Sequence, residues 1–404
     1  MARIAVLVSN PCIADARVIK MAQAAVSAGH EVHVFATAGA NALPFEYVDG
    51  VTYHRIEWRP LTLLANFGPI PWLMRLHRPF VSAVLKRITP FLKYRLFSQV
   101  FFDQVVAIKP DIVHAHDLIC LVAGFNAARE TSACLVYDAH ELEVHRNPPL
   151  PMFQKYFVRY IESKYARHAD AVNTVGRLVS NELAMHIQRN DINILYNSPP
   201  LEICPRNIRA DLRLDDETQL LIYVGKVAEG RGVGLILELL SKMPGVIFAT
   251  VGPCDTKSRS KLKSYSERLG VSSRFYILPP VPFEQVVSYI RGADLGVISV
   301  EPITLSYRYC MPNKLFELSF ANIPIISNKL DEIEHYLAEL GNGEIADFDN
   351  KAALPYIMFR MLQEKQRYVM KSDALSVLHH KYSWESQSKK LLNVYDSILS
   401  KRLV

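Results

Sequence analysis

Two cations lie five residues apart in a short loop whose glycines and charges suit phosphate binding. The loop reads Gly-Lys-Val-Ala-Glu-Gly-Arg-Gly over residues 225–232, between a predicted strand and a predicted helix. Lys226 supplies a point charge, and the Arg231 guanidinium can hold two phosphate oxygens at once. The loop predicts a diphosphate clamp, and the alternative is a solvated loop with incidental charges. Neither a Walker motif nor Gly-x-Gly-x-x-Gly is present.

A second candidate anion site lies where a predicted strand, a polar loop and a predicted helix follow one another. The apolar run 295–300 predicts the strand, Pro312 suits a helix start, and Asn322 suits a helix end. Free N–H groups and the helix dipole both favour an anion at a helix start. The alternative is an ordinary helix that carries a surface ion pair between Lys314 and Glu317.

Two clusters of histidine and carboxylate each follow a predicted strand in the first half of the chain. They read His-Ala-His-Asp at 114–117 and Asp-Ala-His-Glu at 138–141. Ligands bind beyond the carboxyl ends of parallel strands, so both clusters are candidate site residues. Histidines held for structure alone, or a zinc site without a recognised spacing motif, are the alternatives. The Asp-Phe-Asp at 347–349 is interpreted as a loop because its surroundings are polar and turn-like.

Alternating strands and helices must position these residues. The 404 residues suit two domains, and the pattern breaks at Asn-Ser-Pro-Pro over 197–200. The strand–helix–strand order of each half is typical of a doubly wound α/β domain. Strands are predicted at 4–8, 32–36, 112–114, 134–137, 171–174, 192–196, 220–224, 246–251, 275–278, 295–300 and 324–327, and helices at 15–28, 154–167, 233–242, from Pro312 onward, and at 383–399.

The composition favours an intracellular α/β protein. Half of the residues are hydrophobic, so both halves can bury a core. The six cysteines are scattered without a Cys-x-x-Cys pair, which suits a reducing cytosol. No run of about 20 apolar residues predicts a transmembrane helix. The N-terminal residues lead directly into a strand and lack a signal peptide's cleavage pattern. We expect a cytoplasmic location.

The net charge of +6 is concentrated in one segment. Seven Lys and Arg residues and no Asp or Glu lie between Trp58 and Phe102, interleaved with aromatic and aliphatic residues. Prolines at 69, 71, 79 and 90 predict two short amphipathic helices, at about 72–77 and 80–89, in place of one continuous helix. We expect residues of about 59–102 to dock on an anionic membrane. The alternative is an ordinary core coated by cations, and a nucleic-acid surface is disfavoured because no binding motif accompanies the charge.

Over nearly its whole length the sequence resembles the retaining glycosyltransferases of family 4, which have the GT-B fold. The resemblance is specific because the matching motifs keep the family's order and spacing. The motifs are Asp-Ala-Arg-Val-Ile-Lys at 15–20, Ala-Gly-His-Glu-Val at 28–32, the two histidine clusters, Asn197, the Gly-Lys and Arg-Gly pairs of the 225–232 loop, Ala-Asp at 293–294, Pro-Asn-Lys-Leu-Phe-Glu at 312–317, and Tyr-Ser-Trp-Glu at 382–385.

This resemblance implies two doubly wound Rossmann-like domains that face each other across a cleft. Residues 1–198 would form the acceptor-binding domain, and residues 199–382 would form the domain that binds the nucleotide-sugar donor. A C-terminal helix of about 383–404 would cross back to the first domain.

The resemblance also implies a role for each matched residue. Lys226 and Arg231 would bind the donor diphosphate, Glu317 would hold the ribose hydroxyls, and His140 would contact the donor sugar or assist the reaction. These four are the expected catalytic group. The other expected donor-binding residues are Asn10, Asp15, Arg17, Gly225, Pro280, Tyr309, Met311, Pro312, Asn313 and Lys314, and the expected acceptor-side residues are His116, Asp117 and Glu141.

Two positions depart from the family pattern. The first Glu of the family's Glu-x7-Glu motif belongs at position 309, where this chain has Tyr309. The usual Gly-Gly turn after the first strand is replaced by Asn-Pro-Cys at 10–12. Because that Glu usually contacts the donor sugar, we expect sugar recognition to differ here.

The resemblance implies a retaining, metal-independent hexosyltransferase that needs no cofactor. Its donor would be a UDP- or GDP-linked sugar, and its acceptor a glycan or lipid-linked saccharide at the inner face of the cytoplasmic membrane. Cations and helix N–H groups would stabilise the departing diphosphate in place of a metal ion. A GT-B nucleotide-sugar epimerase and a non-catalytic scaffold are the alternatives, and a nucleic-acid partner is not expected.

Overall fold

The chain folds into two compact units. The computed structural model describes residues 1–40, 42–58, 78–228 and 230–402, and describes residues 78–90 by their backbone alone. Unit 1 comprises Met1–Leu195 and Ser388–Val404, and unit 2 comprises Tyr196–Gln387. The boundary therefore falls three residues before the expected one at 198.

Unit 1 is built on an eight-stranded sheet in the order β3-β4-β2-β1-β5-β6-β7-β8. The strands are parallel except for β3, which runs antiparallel to β4. The order reverses between β1 and β5, and ligands bind beyond the strand ends at such a point. The strands are β1 Arg3–Leu7, β2 Glu31–Thr37, β3 Phe45–Val48, β4 Val51–Ile56, β5 Ile112–His116, β6 Cys134–Ala139, β7 Ala171–Thr174 and β8 Ile192–Ile194.

The hairpin of β3 and β4 was not predicted, although the sequence carries a signal for it. Asp49 and Gly50 connect the two strands, and both have a positive φ, 51° and 80°. Asp-Gly is a favoured pair in two-residue hairpin turns because such turns need a positive φ. The hairpin forms the edge of the sheet away from the β1–β5 reversal.

The helices of unit 1 bury an apolar face against this sheet. Asp15 caps the first helix by accepting a hydrogen bond from the Val18 N–H. The buried residues of the helix include Val18, Met21 and Ala25, which lie at helical spacing. The helices are α1 Ala16–Ser27, α2 Arg78–Ala107, α3 Asp117–Thr131, α4 Met152–Ala166 and α5 Arg177–Ile187.

Helix α2 corrects the prediction that prolines would divide this segment. The helix continues through Pro90 as one element of 30 residues. Proline removes one hydrogen bond, and packing of the turns on either side can offset that loss. On the C-terminal side, Tyr94, Phe97 and Phe101 are buried in the core of unit 1. Their burial supplies the stabilisation that local preference lacks.

Burial of residues after Pro90 also reduces the part of the segment 59–102 that could contact a membrane. Tyr94, Leu96 and Phe97 lie within the segment expected to dock on a membrane, but all three are buried within unit 1. The prediction for residues 59–77 lies outside the described part of the chain, as do the side chains of residues 78–90. Among the described helices, none has the length and hydrophobicity that crossing a membrane requires.

The C-terminal helix, α15 Trp384–Arg402, belongs to unit 1 from Ser388 onward. Its residues Leu391, Tyr395 and Ile398 are buried. The Tyr395 hydroxyl lies 2.7 Å from His114 Nδ1 and shares a hydrogen bond with it. This hydrogen bond fixes the helix against strand β5, next to the candidate site residues.

Unit 2 contains a six-stranded parallel sheet in the order β11-β10-β9-β12-β13-β14. This is the doubly wound order 3-2-1-4-5-6, with its reversal between β9 and β12. The predicted strands β9 and β11 have the bounds that the sequence indicated. The strands are β9 Leu220–Val224, β10 Ile247–Val251, β11 Phe275–Leu278, β12 Leu295–Ile298, β13 Ile325–Asn328 and β14 Gly343–Ala346.

The helices of unit 2 cover both faces of this sheet. Helix α11 begins at Asn313, directly after Pro312, and Asn322 beyond its end has a φ of 56°. Both signals were predicted from the sequence. The helices are α6 Ile208–Leu212, α7 Val233–Leu240, α8 Thr256–Arg268, α9 Val286–Ile290, α10 Leu305–Arg308, α11 Asn313–Phe320, α12 Asp331–Leu340, α13 Leu354–Gln363 and α14 Ser372–Val377.

Candidate functional site

In unit 1, the candidate residues gather at the carboxyl ends of β5 and β6. His116 ends β5, and Asp117 begins α3 with a left-handed φ of 63°. Asp138 lies in β6, and His140 follows that strand directly. The parallel pairing places His116 opposite Asp138, which brings the two sequence clusters together. The structure thus brings both clusters together at one edge of the sheet.

Asp138 is the centre of this cluster and is fully buried. Arg17 holds it bidentately: Nε donates to Oδ2 at 2.8 Å and Nη2 donates to Oδ1 at 2.7 Å. Burial raises the pKa of Asp138, but Arg17 and the imidazoles of His116 and His140 outweigh it and hold that pKa well below its usual range. Asp138 is therefore a carboxylate at neutral pH.

Arg17 was predicted to bind the donor, and the structure corrects this. Its side chain is buried, and its Nη1 donates to the Leu195 carbonyl at 2.8 Å. Its hydrogen bonds are directed to groups inside unit 1, so we assign it to positioning Asp138. The sequence placed Asp138 in a candidate cluster but assigned no role to it.

His140 is the partly exposed member of the cluster, with 22% of its side chain accessible. Its Nε2 lies 2.9 Å from His116 Nδ1 and 3.3 Å from Asp138 Oδ2, and its Nδ1 lies 3.6 Å from Asp117 Oδ2. Burial lowers the pKa of His140, but Asp117 and Asp138 together raise that pKa to about 9. At pH 7 the ring is an imidazolium, which donates hydrogen bonds and cannot accept a proton.

His116 was predicted to lie on the acceptor side, but its side chain is fully buried. It contacts His140 and Asp138, so it positions the His140 ring and has no access to an acceptor. His114, His116 and Asp138 have ligand atoms within 4.8 Å of one another, a donor set that a metal ion could use. Arg17, however, already occupies both oxygens of Asp138, which disfavours the zinc alternative.

The loop after β1 is held by its own side chains. Asn10 Nδ2 donates to Asp15 Oδ2 at 2.8 Å, and Asn10 Oδ1 accepts from the Cys12 N–H at 2.8 Å. Asp15 also caps α1. Donor binding by Asn10 and Asp15, and an acceptor role for the half-buried Glu141, stay predictions.

Glu143 is a buried acid near this cluster that sequence reasoning did not single out. Burial, followed by the charge of Asp117, raises the pKa of Glu143 to about 7, while Lys93 opposes this shift. The motif around His140 gave no signal for it, because burial in the folded chain cannot be read from a local motif.

In unit 2, the candidate residues lie beyond the carboxyl ends of β9 and β12. Gly225 follows β9 directly, and the loop to Gly232 leads into α7. A Cβ on Gly232, whose φ is 78°, would lie only 2.1 Å from Ser299 Oγ. Ser299 Oγ donates to the Arg231 carbonyl at 3.0 Å. The backbone of the predicted clamp is thereby fixed to the end of β12.

The two cations of this loop are accessible. Lys226 and Arg231 are both exposed, and neither forms an ion pair with a carboxylate in the described part of the chain. Charges without an internal partner, next to the N-terminus of α11, make a site for an anion.

Lys314, on the first turn of α11, is buried with 9% of its surface exposed. The alternative of a surface ion pair on an ordinary helix is therefore wrong. Its Nζ lies 3.6 Å from the centre of the Tyr223 ring. Glu317, one turn further along, is half-buried. Tyr223 could not be recognised as a neighbour of Lys314 from the sequence, because it lies within a continuous apolar strand.

Most of the remaining predicted donor-binding residues lie near the start of α11, and Pro280 lies apart from it. Asn313 is exposed, and its Oδ1 accepts from Asn197 Nδ2 at 2.7 Å. Met311 is buried beneath the helix start, and Tyr309 is half-buried after α10. Pro280 is exposed beyond the end of β11. Their contacts with a donor stay predictions.

Comparison with known sequences supports the resemblance. Residues 14–202 match the family model described as Glycosyltransferase Family 4. An uncharacterized glycosyltransferase of Methanocaldococcus jannaschii is 20% identical over 93% of this chain and 92% of the relative. A D-inositol 3-phosphate glycosyltransferase of Segniliparus rotundus is 21% identical over 91% of this chain and 80% of the relative.

Solved structures share the fold. Sucrose-phosphate synthase from Thermosynechococcus elongatus has a TM-score of 0.77 at 14% identity, covering 99% of this chain and 100% of that one. Anabaena HepE in complex with UDP has a TM-score of 0.70 at 15% identity, covering 98% and 100%. The fold is GT-B, and the expectation of that fold is confirmed. Residues 14–202 carry the match to glycosyltransferase family 4, and the chain is similar to glycosyltransferases of that type.

The charge of Asp117 should control the protonation of His140. In Asp117→Asn, we expect the pKa of His140 to fall from about 9 toward the ordinary 6.5. Asn suits this position because it tolerates a left-handed backbone. Titration of the His140 ring by NMR of histidine-labelled protein measures the change.

The same pKa shift has a consequence for stability. The pKa of His140 is higher in the folded state than in the unfolded state, so protonation of His140 stabilises the fold. This stabilisation is fully present below about pH 6.5 and is lost as pH rises through about 9. Below about pH 6.5, the Asp117→Asn variant should lose part of this stabilisation of the fold. Asp103→Asn, which alters an exposed carboxylate on α2, is the control. An unchanged His140 titration in Asp117→Asn would contradict this electrostatic account.

Proposed function

We propose that this chain transfers a hexosyl group, with retention of configuration, from a nucleoside-diphosphate sugar to a glycan or lipid-linked acceptor. The observation that carries the proposal is a pair of exposed cations, Lys226 and Arg231, which form no ion pair with a described carboxylate and lie on a loop at the sheet reversal of unit 2. Structures of Anabaena HepE with UDP and with UDP-glucose support a uridine-linked donor.

The proposed chemistry of unit 2 is electrostatic. As the bond between sugar and diphosphate breaks, negative charge grows on the departing phosphoryl oxygens. Lys226, Arg231 and the N–H groups at the start of α11 are fixed before that charge appears, so they stabilise it without reorganising. Glu317 fits the implied role of accepting hydrogen bonds from the ribose hydroxyls.

The proposed contribution of unit 1 follows from the protonation of His140. An imidazolium at neutral pH is neither a nucleophile nor a general base, so it would act by donating a hydrogen bond. This agrees with a retaining reaction in which the acceptor attacks from the face that the leaving group departs, without a protein nucleophile. Asp117 and Glu141 are the proposed acceptor-side groups.

We also propose a location at the inner face of the cytoplasmic membrane. The support is the charge of residues 59–102, seven cations without an acid. Since the aromatic residues 94 and 97 are buried, the proposal now relies on the cations and on residues before Phe91. A lipid-linked acceptor would meet the enzyme at this surface.

Removing the clamp should impair donor use. We expect Lys226→Ala and Arg231→Ala each to slow transfer by roughly 10²-fold, because each removes a fixed cation from the developing charge. Release of UDP or GDP from purified protein with donor and acceptor measures turnover. Lys263→Ala, on the exposed face of α8, is the matched control. Turnover like that of the native chain in the double variant Lys226→Ala/Arg231→Ala would overturn the clamp.

Activity should not depend on a metal ion. Because cations of the chain replace the metal's electrostatic role, transfer should persist after EDTA treatment and should not increase on adding Mg²⁺ or Mn²⁺. A rate assay before and after chelation tests this. Loss of activity with EDTA and recovery with a divalent ion would instead support a metal-dependent mechanism.

Membrane docking should depend on the basic segment. Replacing Arg75, Arg78, Lys86 and Arg87 by Glu should abolish sedimentation with anionic vesicles at low salt, because each cation near such a surface contributes about 1 kcal/mol. Donor hydrolysis by the variant should be unchanged. Equal sedimentation of variant and native protein, or none by the native protein, would remove the proposal.

A further inference from the structure

Lys314 is a buried lysine without an anionic partner. Only 9% of the residue is exposed, and no carboxylate in the described ranges forms an ion pair with it. Its ammonium group has the Tyr223 ring face as its neighbour, at 3.6 Å. A ring face offsets only part of the cost of burying a charge. Buried charges in proteins are normally paired, so the charged form of Lys314 calls for a partner that arrives from outside.

The position of Lys314 shows where that partner would lie. A Cβ built on Gly225 would lie 3.7 Å from Lys314 Cε and 3.9 Å from its Nζ. The lysine head group therefore lies against the backbone of the residue that precedes Lys226. It also lies on the first turn of α11, where free N–H groups favour an anion. Lys314 thus borders the proposed diphosphate clamp.

The groups around Lys314 bring its pKa close to neutral pH. Burial, the strongest influence, lowers its pKa to about 7. Glu317 on the same helix raises the pKa, Arg231 on the clamp loop lowers it, and Cys310 before the helix raises it. Tyr223 supplies the neutral ring. At neutral pH both the amine and the ammonium are populated.

The residue at position 309 fits this arrangement. The family resemblance predicts a Glu there, next to Cys310, but the chain has Tyr309. The exchange removes a carboxylate from the segment that leads into α11.

We propose that Lys314 is a third phosphate-binding cation of the donor site, and that it takes up a proton from solvent when a nucleoside diphosphate binds. The inference rests on the proposed function, which supplies the diphosphate. In this step a phosphoryl oxygen becomes the missing anionic partner, the amine nitrogen gains one proton from the buffer, and no other bond forms or breaks. Binding of the donor and protonation of Lys314 are then linked.

Titration calorimetry on the whole chain can measure the number of protons that the protein takes up when a nucleotide binds. UDP and GDP are titrated at pH 8 in Tris and in HEPES, two buffers with different protonation enthalpies. At this pH the nucleotide phosphates are already fully ionised, since their second pKa is about 6. With a pKa of about 7 in the free protein, Lys314 should take up about 0.9 proton per nucleotide bound.

Variants separate Lys314 from other groups. Lys314→Met keeps the side-chain length and removes the amine, so proton uptake should vanish and affinity should fall roughly 10- to 100-fold at pH 7. Between pH 8 and 9 the affinity of the native protein should fall by up to about tenfold, while that of the variant should stay constant. Lys263→Met, an exposed lysine on α8, should behave like the native chain.

Each outcome decides between the two proposals. If UDP and GDP bind to the native chain without proton uptake, or if Lys314→Met keeps the uptake and the affinity, the role of Lys314 is wrong while the donor site stands. If neither nucleotide binds to the native chain, the nucleoside-diphosphate donor is wrong and this inference fails with it. A melting temperature of Lys314→Met at or above that of the native chain verifies that the variant is folded.

Discussion

The buried ion pair between Arg17 and Asp138 is the interaction on which unit 1 depends. Its geometry is bidentate, with distances of 2.7 and 2.8 Å, and both side chains are almost fully excluded from water. The pair joins α1 to β6, and Arg17 also binds the carbonyl of Leu195 at the end of the unit. Removing one member of such a pair typically costs about 3–5 kcal/mol, because the other charge stays buried alone. The fixed charge of Asp138, together with that of Asp117, then keeps His140 protonated.

The charges at the candidate site of unit 2 differ from those of unit 1 in their pairing. In unit 1 each charge at the site has a partner within the chain, whereas Lys226, Arg231 and Lys314 have none among the described residues. Unpaired cations weaken a fold, most of all when buried, and proteins tolerate such strain chiefly at sites where a ligand relieves it. A diphosphate would supply the missing negative charge. The hydrogen bond from Ser299 to the Arg231 carbonyl holds the backbone of the loop at that position.

The sequence could predict the elements whose signals are local. Strands β7, β9 and β11 have the predicted bounds, and β9 and β11 are short apolar runs with turn residues beside them. The start of α11 at Pro312 and its end near Asn322 were likewise predicted, and the resemblance to family 4 indicated the GT-B fold. Both histidine clusters were placed at strand ends for the same local reason.

Contacts between distant residues could not be predicted in this way. Arg17 and Asp138 lie 121 residues apart, so the sequence suggested an accessible arginine where the structure has a buried one. The alternative of a surface ion pair did not anticipate that Lys314 is buried, with its Nζ over the ring of Tyr223 on strand β9. Pro90 was expected to end a helix, but the burial of residues 94, 97 and 101 stabilises a continuous one. In each case tertiary packing overrides a sound local rule.

A thermal-shift comparison of nucleosides with their mono- and diphosphates tests the central claim most directly, because a ligand that binds only the folded state raises its melting temperature. The account predicts that UDP or GDP raises the melting temperature, that the corresponding monophosphate raises it much less, and that uridine and guanosine leave it unchanged. A nucleoside that stabilises the protein as much as its diphosphate, or no stabilisation by any diphosphate, would contradict the claim that unpaired cations of unit 2 hold the donor through its phosphates.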